Sequence, residues 1–179
     1  MRKVFLFVFL FLFSCSDLDQ EGQLSKMEAL QSTLSNSSDK FKQIYVDSLY
    51  EMGNRSSELE RSVKQHYFSD TVDMALGKRM DDYKRMRRML KPLGNAGSRL
   101  KKSYTEEKKQ LLLLQSDIKN GFGERNRYDE FIAFEAQKID RIVLLQKEYK
   151  KLKLDAFTLY EKHHEFLVLF VRQLIDSKQ

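Results

Sequence analysis

The chain has 179 residues and a formal net charge of +6, with 32% charged and 41% hydrophobic residues. Seven glycines, one proline and no tryptophan argue against a β-sandwich or barrel, which needs many more turn residues, and suit long helices with wet outer faces. Apolar residues recur with period along the chain, which argues against disorder, and a single cysteine leaves no intramolecular disulfide.

In chain order, Met1-Arg2-Lys3 is a short positive start and Val4 to Phe13 is an uninterrupted apolar run. After Ser14 and Cys15 the chain turns polar, with Ser16-Asp17-Leu18-Asp19-Gln20-Glu21. That order predicts a signal peptide over residues 1–14. As a helix the apolar run would rise about 15 Å, half the hydrocarbon core, so it is too short for a spanning anchor.

Leu12-Phe13-Ser14-Cys15 resembles the lipobox of signal peptidase II substrates. The resemblance covers about fifteen residues: a charged start, a short apolar run, Leu and Ser flanking one position before the sole Cys. Phe13 departs from the usual pattern, which has a smaller residue there, and such relaxed boxes are similar to those of Bacteroidota and spirochaetes. The resemblance implies a diacylglyceryl group on Cys15 and a mature chain beginning there, followed by a tether over 15–23 and a helical domain over 24–179. More than one acyl chain gives stable anchoring. Ser16 beside the Cys resembles an outer-membrane sorting signal, and Asp17, Asp19 and Glu21 resemble, more loosely, the acidic export tags of surface lipoproteins.

The body of the chain is predicted to be all-α. From Leu24 to about Gln65 a helical stripe runs through Met27, Leu30, Leu34, Phe41, Tyr45, Leu49, Met52, Leu59 and Val63, with Ser35 to Ser38 and Gly53-Asn54 as candidate interruptions. A second helix is expected from about Asp70, capped by Ser69, to Leu90, and a third from Ser98, its own N-cap, to Lys119. Between them, Pro92-Leu93-Gly94-Asn95-Ala96-Gly97 reads as a breaker, and Asn120-Gly121-Phe122-Gly123 as a helix stop.

From Glu124 to Gln179 no Gly or Pro intervenes, which predicts one long helix. Its heptad places Tyr128, Glu135, Ile142, Tyr149, Ala156, His163 and Phe170 at a. Phe131, Lys138, Leu145, Leu152, Leu159, Phe166 and Gln173 fall at d, and position e widens the stripe with Ile132, Ile139, Tyr160, Leu167 and Leu174. Phe166 to Val171 is apolar throughout, so that end is expected either to be buried all round or to dock on a partner. The lengths suggest an elongated antiparallel bundle or coiled-coil rod of three to four helices. Reversal at Pro92 to Gly97 would give an αα-hairpin and four helices at one end, whereas continuation would give three; the glycines favour reversal.

Charge is uneven. The segment from Lys78 to Lys102 carries ten basic residues against Asp81 and Asp82, a net +8. Lys84, Arg85, Arg87, Arg88, Lys91, Arg99, Lys101 and Lys102 are candidates for binding an anionic surface such as lipid headgroups, lipopolysaccharide or an acidic protein. No aromatic platform interleaves the run, which argues against nucleic acid. Glu161 and His164 have the Glu-x-x-His spacing of di-iron bundles, but the second element is missing because Val63 stands three residues before His66. No metal, cofactor or catalytic residue is therefore expected, and no nucleophile elbow or phosphate loop is present. The sequence leads to the expectation of a lipid-anchored, non-enzymatic adaptor or structural subunit of the bacterial cell envelope, on the outer membrane and with an envelope protein partner. The competing expectation is a module that holds a lipid or small apolar ligand within the bundle.

Overall fold

The computed structural model describes residues 14–177, with side chains from Asp19 onward. The expected signal peptide up to Phe13, with the lipobox-like residues there, and the Cys15 side chain lie outside the described residues. Among the described residues four α-helices follow one another: α1 (Ser14–Ile44), α2 (Leu49–His66), α3 (Met74–Asn120) and α4 (Tyr128–Asp176), with a short 3-10 turn (Arg125–Arg127) before α4. The described residues are all-α, with no strand among them. None of these helices is long and apolar enough to cross a membrane.

Several boundaries differ from expectation. Helix α1 starts at Ser14, ahead of the expected Leu24, so residues 15–23 are helical. Gln23 in that stretch is buried, and the Gln20 side chain donates to the Ile118 carbonyl at 2.7 Å. The break in the first expected helix falls at Tyr45 to Ser48, and both Ser35–Ser38 and Gly53-Asn54 remain helical. Asp73, not Ser69, caps α3: its Oδ1 accepts from the backbone N–H groups of Ala75 and Leu76, each at 2.9 Å.

The largest correction concerns Pro92 to Gly97. Helix α3 runs through it unbroken for 47 residues, so the expected αα-hairpin does not form and Ser98 caps nothing. The reason lies in the phase of the apolar residues. One inward row is Leu76, Tyr83, Leu90, Gly97, Tyr104, Leu111 and Ile118; the other is Arg79, Met86, Leu93, Leu100, Glu107 and Leu114. These rows alternate by three and four residues without a slip, and we label them a and d. Breaking the helix at Pro92 would strand half of that stripe in water. Pro92 itself is on the outer face, where water can take the carbonyl that its ring displaces. Gly97 is required by packing and not by a turn, since a Cβ there would stand 2.9 Å from Tyr45 and 3.1 Å from Tyr149.

Helix α3 does end where the sequence places a stop. Gly121 has φ of +66°. Its N–H reaches the Ile118 carbonyl at 3.3 Å, and the Phe122 N–H reaches the Asp117 carbonyl at 2.9 Å, the paired bonds of a Schellman cap.

The described residues form two compact units. One comprises the chain up to Gln43 with Leu100–Leu145, and its buried side chains include Met27, Leu34, Phe41, Leu111, Ile118 and Ile139. The other comprises Ile44–Arg99 with the chain from Gln146, around Tyr83, Met86, Leu93, Tyr149, Ala156 and Leu167. In the first unit the inward face of α4 is a and e, with Ile132 and Ile139 buried and Leu145 40% exposed; in the second, Leu167 at e is buried while Phe166 at d is 42% exposed. Leu152 and Leu159 are half-buried. The Phe166 to Val171 run is not buried all round, because Leu169 is also exposed.

Candidate functional site

The basic residues of α3 divide according to helical position. Lys78, Lys84, Arg85, Arg88, Lys91 and Arg99 occupy b, c and f positions of the heptad, away from the inward rows. All but the half-buried Lys84 are exposed, and Asp81 is the one acidic residue at those positions between Lys78 and Arg99. Arg85 pairs with Asp82 at 3.0 Å. Among the described residues no acidic group lies within ion-pairing distance of Lys84, Arg88, Lys91 or Arg99. Lys101 and Lys102 follow in the other unit, where Lys102 stands 3.6 Å from Glu106.

Arg87 departs from the expected site. It lies at position e and turns to the buried carboxylate of Glu60 on α2, with Nη2 to Oε2 at 3.0 Å. It serves the interior of its unit, leaving Lys78, Lys84, Arg85, Arg88, Lys91 and Arg99 as the outward cations there. Asp82, beside Arg85, also lies 3.4 Å from the Nε2 of buried His163. The acidic residues next to the run therefore screen only part of it, and a one-sided field remains on the outer face of α3.

His163 and His164 face Asp82 and Tyr83 of α3. His163 is buried at its a position, and burial pushes its pKa down against the pull of Asp82. His164 packs its ring on Tyr160 with centroids 4.3 Å apart, and its Nδ1 lies 2.6 Å from the Tyr83 hydroxyl. Tyr83 also donates to the buried Ser56 Oγ at 3.1 Å. Burial raises the Tyr83 pKa to about 12, with the Ser56 hydrogen bond opposing. Glu161 does not join His164 in a ligand set: among the described residues no three His, Cys, Asp or Glu side chains are grouped to hold a metal ion.

Sequence reasoning missed the buried charges. In the first unit Glu107 of α3 is buried, with Lys138 of α4 at 2.9 Å and Glu135 beside it. In the second, Glu60 and Arg87 form the corresponding pair across α2 and α3. The signal was present as polar residues interrupting inward rows. Glu107 sits in the d row of α3, and Glu135 and Lys138 are the first non-apolar members of the α4 heptad.

Comparison with protein-family models, with curated proteins and with solved structures finds no match to this chain.

Proposed function

We propose that the chain is a lipid-anchored, non-enzymatic helical adaptor or structural subunit of the bacterial cell envelope, an outer-membrane lipoprotein held by acylated Cys15. The outward face of α3 is where it meets an anionic surface, and an envelope protein is its further partner. The observation that supports this reading most is the set of outward cations, five of them (Lys78 included) without an acidic partner among the described residues, gathered on one side of one helix. A coiled-coil rod of three to four helices belongs to the same proposal, supported by the unbroken heptad of α3 and the 49 residues of α4.

Vesicle binding tests the basic face. A chain of residues 16–179, which has neither the apolar leader nor an acyl group, is expected to co-sediment with vesicles containing phosphatidylglycerol in preference to neutral ones. It should release as salt approaches 1 M, where screening shortens to about 3 Å. Each cation at such a surface contributes about 1 kcal/mol. Adding Arg88→Gln and Arg99→Gln together should therefore weaken binding by roughly tenfold or more. Equal binding to neutral and anionic vesicles, or binding that salt leaves unchanged, would refute the assignment.

A further inference from the structure

Gly53 and Gly94 lie in helices where neither backbone nor packing requires glycine; Gly22 and Gly77 share that property, but only 53 and 94 line a common cleft. Gly53 of α2 and Gly94 of α3 have no positive φ; Gly121 and Gly123 are the glycines that do. A Cβ on Gly53 would stand 3.8 Å from Leu90 Cδ1, and one on Gly94 3.8 Å from Leu49 Cδ1, ordinary van der Waals contacts. Gly97 is different, because its Cβ would clash with Tyr45 and Tyr149. Glycine disfavours a helix interior strongly relative to alanine, so at positions 53 and 94 helix stability is given up without a packing return.

What the two glycines do is open a cleft. It lies between α2 and α3 within one unit and has a volume of about 600 Å³, inside the range of small-molecule sites. Its floor holds the buried Leu49 and Leu90. Its rim carries the exposed Asn54, Ser57, Asn95 and Lys91, with Tyr50 projecting at 80% exposure. Arg87 closes one wall. Its Nε, and Oε1 of the Glu60 carboxylate that it pairs with, are buried without hydrogen-bond partners. Such atoms mark an incompletely satisfied polar site.

We infer that this cleft binds the head of a glycerol-bearing anionic phospholipid. The phosphate lies against Lys91, the glycerol hydroxyls among Asn54, Ser57 and Asn95, and the first acyl carbons over Leu49 and Leu90. The inference rests on the reading that the outward face of α3 meets an anionic membrane, because Lys91 belongs to both face and cleft. The lining selects this chemistry. One unpaired cation suits one phosphate, amides and a hydroxyl suit a diol, and an apolar floor suits a chain that a free sugar phosphate lacks. Tyr50 has the amphipathic ring that settles at headgroup level.

The test titrates monomeric dihexanoyl phosphatidylglycerol into the full-length chain, followed by backbone amide shifts. Saturable binding is expected at residues lining the cleft. Gly94→Leu and Gly53→Leu each fill it from one wall with a better helix former, so their unfolding midpoints should match or exceed wild type while affinity falls at least tenfold. Lys91→Gln should weaken binding at least fivefold. Dihexanoyl phosphatidylcholine, and glycerol phosphate without acyl chains, should each bind at least tenfold more weakly. No saturable binding, unchanged affinity in both glycine variants, or equal affinity for glycerol phosphate would overturn the proposal. Arg88→Gln, outside the cleft, separates it from the reading on which it rests. It should leave lipid-monomer affinity within twofold while weakening vesicle binding, and retained monomer binding with no vesicle preference would sink the face and not the cleft.

Discussion

Ile139→Ala and Leu167→Ala are each expected to lower unfolding stability by about 2–5 kcal/mol, while Leu145→Ala lowers it by less than about 1 kcal/mol. Ile139 is 1% exposed and Leu167 0%, so truncation removes packed volume that their neighbours cannot refill. Leu145 is 40% exposed at the edge of the stripe, so its methyl groups already meet water. The contrast reads the register of α4 and not merely its helicity. The midpoint of urea unfolding, followed by circular dichroism at the helix minimum, reports it. Equal shifts from Leu145→Ala and Ile139→Ala would mean that a and d, not a and e, face inward.

Glu107→Gln is expected to remove the loss of stability that Glu107 causes as pH rises between about 5 and 8. Burial first, then the hydrogen bond to Glu135, raises the Glu107 carboxyl from 4.5 to about 7, with Lys138 opposing. The folded value exceeds the unfolded one, so proton binding favours the fold. That contribution is complete below the unfolded value of 4.5 and is lost as pH rises through about 7. In full it amounts to on the order of 3 kcal/mol, since one pKa unit corresponds to about 1.4 kcal/mol. The wild-type chain should therefore weaken between pH 5 and pH 8. The Gln variant should lose that decline, ending about 2 kcal/mol above wild type at pH 8, because a neutral amide keeps the shape without burying a charge; what remains is the opposite trend from buried His163, whose lowered pKa weakens the fold as pH falls. Urea midpoints at the two pH values decide it. A variant weakened equally at both would show that Glu107 is ionised in the fold and acts mainly as the partner of Lys138.

Much of this fold was legible, and the misses have physical causes. The all-α class, the long C-terminal helix and the glycine stop at residue 121 followed from composition, period and αL chemistry. Pro92 to Gly97 was misread because composition was weighed above phase. Leu90, Leu93, Gly97, Leu100 and Tyr104 keep the three-four spacing straight through it, and burying that stripe outweighs one displaced carbonyl on an exposed face. The α4 register could not be decided by counting. The d and e rows each hold five apolar residues in seven, so only the packing neighbours choose between them.

The basic run of α3 was visible as charge. That Arg87 leaves it for Glu60 depends on where α2 lies, which no local pattern of α3 encodes. The cleft was less visible still. Gly53 and Gly94 look like breaker residues in the sequence, and their shared role appears only when α2 and α3 bring them to one place.

Acylation of Cys15 is the measurement that bears most directly on the account, since the envelope location, the anchor and the meeting of α3 with a membrane all follow from it. Cells expressing the wild-type chain and the Cys15→Ser chain are grown with a clickable palmitate analogue, and the purified proteins are compared by in-gel fluorescence and intact mass. The account predicts label on wild type alone, a mature mass beginning at diacylated Cys15, and an unprocessed Cys15→Ser precursor. Equal label on both chains, or a wild-type mass with the N-terminal segment intact and Cys15 unmodified, would contradict it.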